Sequence, residues 1–391
     1  MNKISFKDKK KVAFVTSGGA VKAACFHIGV CLALERKGIR FNDTPRQKKS
    51  LPIQTYVGSS SGSIIATFLA SGYSLDTIVD SFLDRPVKKS AHRLPKLHYR
   101  DLFKLATPNF KKYFHLLQSG TFRFTPRSFE GLLKHYLSFG GIFTTAGLEK
   151  YLRVDALPSN HFEDLSTELF IVGTQLDRPY KTIFCSKKSM KPNSDHHAFY
   201  ENKVLISQAA AASTALPPIY QPYPITIGKE PIYYYDGEIK EPLSMHVAKD
   251  NGCDLIIGSY IHQSYHFHPA IGSLAHFGIS AVIIQALYQA IEQKIHTSQR
   301  LWKTKKMALD TVHNFFKEHR LPDTKRKALC EQLEIVLNFD KHLDYLLIHP
   351  RPQDYRLFLA DHFNLSKTHM IPIVNSGFRS ALACLKNYDF N

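Results

Sequence analysis

The sequence predicts an α/β protein: a three-layer α/β/α core on a mostly parallel sheet, followed by a mainly helical C-terminal extension. Three observations carry this. Strand-like and helix-like runs alternate through the first seventy residues, the pattern of parallel strands joined by helical crossovers. The run CDLIIGSY from Cys253 is continuously apolar, as a strand buried on both faces requires. Beyond about His262 the apolar spacing turns helical to the end of the chain.

Taken in order, KVAFVTS reads as a short buried strand and residues 22–37 as a helix stopped by Gly38. IQTYV is a second strand, and the helix over 63–70 stops near Gly72. Residues 85–145 form a basic insertion or lid in which Lys and Arg alternate with Phe and Tyr. ELFIVGTQLD and KTIFCS then read as a strand pair. The helical region breaks near LPD (321–323) and HPRP (349–352). GISAVIIQALYQAI (278–291) is shorter than the ~20 residues a bilayer span needs and contains glutamines, so it reads as a buried helix. The expected division is a catalytic core over 1–262 and a helical extension over 263–391 packed on it.

A 44% hydrophobic content with 12% aromatics argues against disorder in a chain of 391 residues. The formal charge of +18 favours polyanionic partners, either nucleic acid or anionic lipid. Six cysteines are scattered without a CxxC pair, and the N-terminal apolar run is only VAFV, far short of a signal-peptide core. A reducing, cytoplasmic setting is the expectation.

The stretch GSSSG fits G-x-S-x-G in one frame, with Gly58 and Gly62 flanking Ser60. A strand must there turn into a helix so sharply that the central residue is strained and neighbouring side chains collide, and the turn lifts the Ser60 hydroxyl clear of the sheet. The hydroxyl also sits at a helix start, where free N–H groups, that of Ser61 among them, favour developing negative charge. A serine is a weak nucleophile and needs a base and oxyanion donors. In TSGGAVKAA the N–H groups of Gly18, Gly19 and Ala20 open a second helix and suit a tetrahedral oxyanion or a phosphate.

Together these pieces resemble the patatin-like phospholipases, acyl hydrolases with a Ser–Asp dyad. SGGAVKAACFHIGVCLALERKGI looks like the family's glycine-rich loop and helix, GSSSG like its nucleophile elbow, and AAAASTALPPIYQPYPI like the stretch leading to its Asp-Gly motif, matched by YYYDGE. The resemblance implies a patatin-like core, Ser60 as nucleophile, Asp236 as base ahead of Gly237, and Lys22 supporting the oxyanion loop. It further implies cleavage of carboxylic esters of membrane lipids, as an A-type phospholipase or lysophospholipase, with no metal or organic cofactor. Ala20 stands where the family usually has a third glycine, which a methyl group tolerates only at negative φ. Glu238 follows the Asp-Gly pair; pointing inward, its charge would raise the pKa of Asp236.

Three rivals stand beside this reading. A Ser–Asp–His triad would use His246 or His262, but the elbow follows only the second strand, early for that fold. A nucleic-acid-binding protein would account for the charge, yet no known module accompanies it. His262, His266 and His268 in HQSYHFH lack an acidic or cysteine partner spaced for zinc. Basic and aromatic residues near an acyl-hydrolase site suit peripheral contact with an anionic membrane better than with nucleic acid.

Overall fold

Val12–Thr16 (β1) is apolar at nearly every position and buried throughout, because it runs inside a sheet covered on both faces. The computed structural model describes residues 4–6, 9–41, 51–85, 93–106, 141–178, 180–190, 198–351, 354–386 and 388–389. Among them, nine further strands join β1 in one sheet: Ile39–Arg40 (β2), Leu51–Ser59 (β3), Glu168–Gln175 (β4), Lys181–Phe184 (β5), Ala198–Glu201 (β6), Tyr223–Ile227 (β7), Glu230–Asp236 (β8), Leu255–Ser259 (β9) and Asp344–Ile348 (β10). The order is β7-β8-β4-β3-β1-β9-β10, with β2 beside β3 and β5 between β4 and β6. β4, β3, β1, β9 and β10 run parallel, whereas β5 and β8 run antiparallel to β4. The predicted strand pair is therefore β4 and β5.

The principal helices are Ala20–Arg36 (α1), Ser61–Ala70 (α2), Leu75–Leu83 (α3), Ile206–Ser213 (α4), Met245–Asp250 (α5), Gly278–Glu318 (α6), Asp323–Val336 (α7) and Lys367–Leu385 (α8). Because successive strand residues point to opposite faces, Val12 and Phe14 join a core with α1, α2 and α8, while Ala13 and Val15 meet Val247 and the inner side of α6. This is the three-layer α/β/α arrangement. Most of the basic, aromatic insertion expected over 85–145 lies outside the described residues.

The C-terminal region is mainly helical but does more than rest on the core. β10 extends the parallel sheet beside β9. Its apolar run YLLI is too short for periodicity to separate strand from helix, which is why the sequence read as helical there. α8 crosses α1 at closest approach through two glycines. A Cβ on Gly29 would stand 1.9 Å from the Val374 carbonyl oxygen, and one on Gly377 would stand 2.1 Å from that of Phe26. The crossing explains why α1 is apolar nearly all round. Gly377→Ala is expected to lower stability by about 1–3 kcal/mol through overpacking. An unchanged denaturant midpoint would show that the two backbones do not need this approach.

GISAVIIQALYQAI is helical but not buried as expected, since Ile279 is 74% and Ile283 60% exposed at the start of α6. Among the described residues no helix is long and apolar enough to cross a membrane.

Candidate active site

The turn from β3 into α2 confines Ser60 to φ 52° and ψ −133°, a conformation that side chains rarely adopt. The strain is held by a neighbour from α4: the Ser60 N–H donates to Ser213 Oγ at 2.8 Å, and the Ser213 hydroxyl donates to the Val172 carbonyl at 2.6 Å. The flanking glycines answer to close approach. A Cβ on Gly58 would lie 2.4 Å from Ser63 Cα, and one on Gly62 would lie 2.4 Å from the Ser17 carbonyl oxygen. Ser61, buried like Ser60, opens α2 immediately after the elbow.

Asp236 ends β8, and its antiparallel pairing with β4 carries it to the same edge as Ser60, which follows β3. The Glu238 N–H donates to Asp236 Oδ1 at 2.8 Å, and the Ser60 hydroxyl adjoins the carboxyl. Burial pushes the Asp236 pKa up to about 6, with those two donors offsetting part of the rise. Gly237 is needed because a Cβ there would stand 2.1 Å from the Val172 carbonyl oxygen, the atom that also anchors Ser213.

The loop between β1 and α1 lies against Ser60: a Cβ on Gly18 would meet Ser60 Cβ at 2.6 Å. His27 fixes its base. Its Nε2–H donates to the Ser17 carbonyl at 2.9 Å, so Nδ1 accepts from the Ser259 hydroxyl at 2.7 Å. Burial lowers the His27 pKa to about 4, in keeping with this neutral tautomer. Gly19 sits at φ 128° and Ala20 at φ 56°. The condition for tolerating a methyl group at Ala20 is thus not met: the residue lies in the left-handed region, where its methyl group is strained. Ala20→Gly is expected to raise stability by about 1 kcal/mol, read from thermal melting. A lower melting temperature would overturn that account.

Lys22 is fully buried. Its ammonium donates to the Leu357 carbonyl at 3.3 Å and lies 5.4 Å from the centre of the Tyr288 ring, while its N–H donates to the His362 carbonyl at 3.2 Å. Burial lowers its pKa to about 7, against the pull of Asp361. Lys22 therefore ties the start of α1 to the segment between β10 and α8.

Glu238 points inward, but the expected rise falls mainly on Glu238 itself. Burial, with Asp236 adding, pushes its carboxyl well above the usual carboxylate range. The Gly18 N–H, the Ser59 hydroxyl and the Leu243 backbone border it, yet neither carboxyl oxygen reaches full hydrogen-bonding geometry.

The histidines of the rival triad lie elsewhere. His246 Nδ1 sits 2.7 Å from Glu241, and His262 Nδ1 sits 3.9 Å from Glu238. Neither hydrogen-bonds Ser60 or Asp236. His262 is buried and its ring meets Tyr288, whereas His268 stacks on Tyr355, so HQSYHFH does not gather its histidines. Among the described residues no cluster of His, Cys, Asp or Glu could hold a metal ion.

Ser60 opens onto a cleft of about 60 Å³ whose walls include Val21, Ile64, Leu102, Leu148, Leu216 and Phe363. Sequence reasoning missed Ser213, hidden in an alanine-rich run, and Phe363, which lies 303 positions from Ser60 along the chain.

The family model for patatin-like phospholipase matches residues 14–249. Among solved structures, VipD from Legionella pneumophila aligns over 98% of this chain and 68% of its own, at 14% identity and a TM-score of 0.39. No curated protein matches the sequence.

Proposed function

The chain belongs to the patatin-like phospholipase family, whose members are lipid acyl hydrolases, and on that premise we propose that it cleaves carboxylic esters of membrane lipids through a Ser60 acyl-enzyme. The observation that carries this reading is the Ser60 hydroxyl beside the buried Asp236 carboxyl, at the mouth of an apolar cleft.

Ser60 Oγ attacks the ester carbonyl carbon and passes its proton to Asp236. The carbonyl oxygen takes the negative charge and is met by the N–H groups of the Gly18–Ala20 loop together with that of Ser61. Collapse of the tetrahedral intermediate breaks the bond to the alcohol oxygen, which leaves with the proton from Asp236. Water then attacks the acyl-serine while Asp236 again accepts a proton, and the bond to Ser60 Oγ breaks as that proton returns to the serine oxygen and the fatty acid departs. A pKa near 6 suits the task, since Asp236 is ionised at neutral pH yet more basic than an ordinary aspartate. The cleft walls match an acyl chain, and the basic balance of the protein suits an anionic membrane as the place of action.

The direct test incubates wild type and Ser60→Ala with a mixed lipid extract and identifies the products by mass. Free fatty acid and lysolipid from wild type alone support the reading; equal release by both removes Ser60 from the mechanism.

A further inference from the structure

Between Asp254 and Glu292 the chain carries no Asp, Glu, Lys or Arg, a run of 37 residues in a protein that is 21% charged. Its first part is β9, an internal strand, where the absence of charge follows from burial. Much of the rest is exposed and has no such reason. Phe267, Phe277, Ile279, Val282, Ile283 and Leu287 are all exposed. The last four recur at the spacing of one helix face, whereas Tyr288, Ile291 and Ile295 on the other side of α6 are buried.

Two features say what covers this strip. First, it backs onto the candidate active site. Tyr288 reaches inward to Lys22 in the first turn of α1 and meets His362 Nε2 at 2.7 Å, and Phe363, next along the chain, lines the cleft. Second, the same helix turns cationic directly after the charge-free part. Lys294, Arg300, Lys303 and Lys306 are exposed on α6, and the segment 292–318 holds six Lys or Arg against three Asp or Glu. An apolar helix face without charges to desolvate, followed by a basic stretch, complements a layer of acyl chains under anionic headgroups.

We propose that Phe267, Phe277 and the outer face at the start of α6 dock this protein onto an anionic phospholipid bilayer, seating the Ser60 cleft at the lipid surface. The proposal rests on the lipid-ester reading of that cleft. It assigns docking to the C-terminal region.

The test compares wild type, Ile279→Ser/Ile283→Ser and Lys303→Glu/Lys306→Glu, all altered at exposed positions so that folding is retained. Each is sedimented with vesicles of phosphatidylcholine plus phosphatidylserine and with phosphatidylcholine alone. Each is also assayed on vesicle lipid and on a water-soluble short-chain ester. Wild type is expected to prefer the anionic vesicles. The isoleucine double variant should lose roughly tenfold or more in vesicle binding and in vesicle hydrolysis, with soluble-ester turnover roughly unchanged. The lysine double variant should lose the preference for anionic vesicles. Vesicle binding undiminished in the isoleucine variant, or absent from wild type, overturns the proposal. So does a wild-type dimer that the isoleucine substitutions dissociate while vesicle binding persists, which assigns the strip to a second copy. Failure of wild type on the soluble ester would count against the hydrolase reading alone, because the vesicle sedimentation still decides docking.

Discussion

Ser60→Ala is expected to abolish turnover, with kcat falling by roughly 10⁴- to 10⁶-fold, the range seen when a hydrolase loses its nucleophile. The fold should survive, because alanine changes neither the backbone hydrogen bond from residue 60 to Ser213 nor the packing around it. Ser60→Gly separates function from strain more sharply. Residue 60 sits at φ 52° and ψ −133°, where glycine is unstrained and serine is not. Ser60→Gly should therefore be as inactive as Ser60→Ala, yet more stable than wild type by about 1 kcal/mol. Strain retained at a reacting residue is a mark of a functional constraint. A glycine variant that melts lower than wild type would mean the elbow is not strained, and an alanine variant with near-normal kcat would move the nucleophile elsewhere.

Asp236→Asn carries the second large effect, a loss of roughly 10⁴-fold in kcat/KM, because the amide retains the shape but cannot accept the serine proton. With Asp236 as the proposed base it must be ionised to act, so kcat/KM of wild type should climb with pH, about tenfold per unit below 6, and level off above it. The same group affects stability with a definite sign. Its folded pKa of about 6 exceeds the ordinary value of 3.8, so between these values the unfolded chain is the more ionised. The contribution of Asp236 to stability is therefore complete below pH 3.8 and falls as pH rises through 6. Above that window the buried charge costs up to about 3 kcal/mol. Asp236→Asn should accordingly be more stable than wild type at pH 7.5, and the difference should close below pH 4. Denaturant midpoints of the two proteins across this range check the sign, and a variant less stable at every pH would contradict it.

The neighbouring carboxyl makes this pair unusual. Burial, with Asp236 adding, pushes the Glu238 carboxyl well above the usual carboxylate range, so burial disfavours charge on both neighbours. From sequence its direction was open; the close packing of the Gly18 loop turns it inward, where a Cβ on Gly18 would meet Glu238 Cγ at 2.8 Å. The strain at Ala20 was hidden for a related reason. A sequence shows a methyl group where glycine is usual, but the φ that makes it costly is imposed by how β1, α1 and Ser60 abut.

The chain by itself determined the alternation of strands and helices, the elbow around Ser60, the loop at Gly18–Ala20 and the Asp-Gly motif at 236–237. These are local devices: a strand that must turn into a helix, or an acid at a strand end, writes its requirement into neighbouring residues. What only the tertiary structure decided is the contact of residues 60 and 236 across β4, the Ser213 anchor, the close crossing of α8 and α1 at Gly377 and Gly29, and the strand at 344–348. Each depends on groups far apart in sequence meeting at van der Waals range, and a short apolar run or a lone serine carries no mark of the partner it will meet.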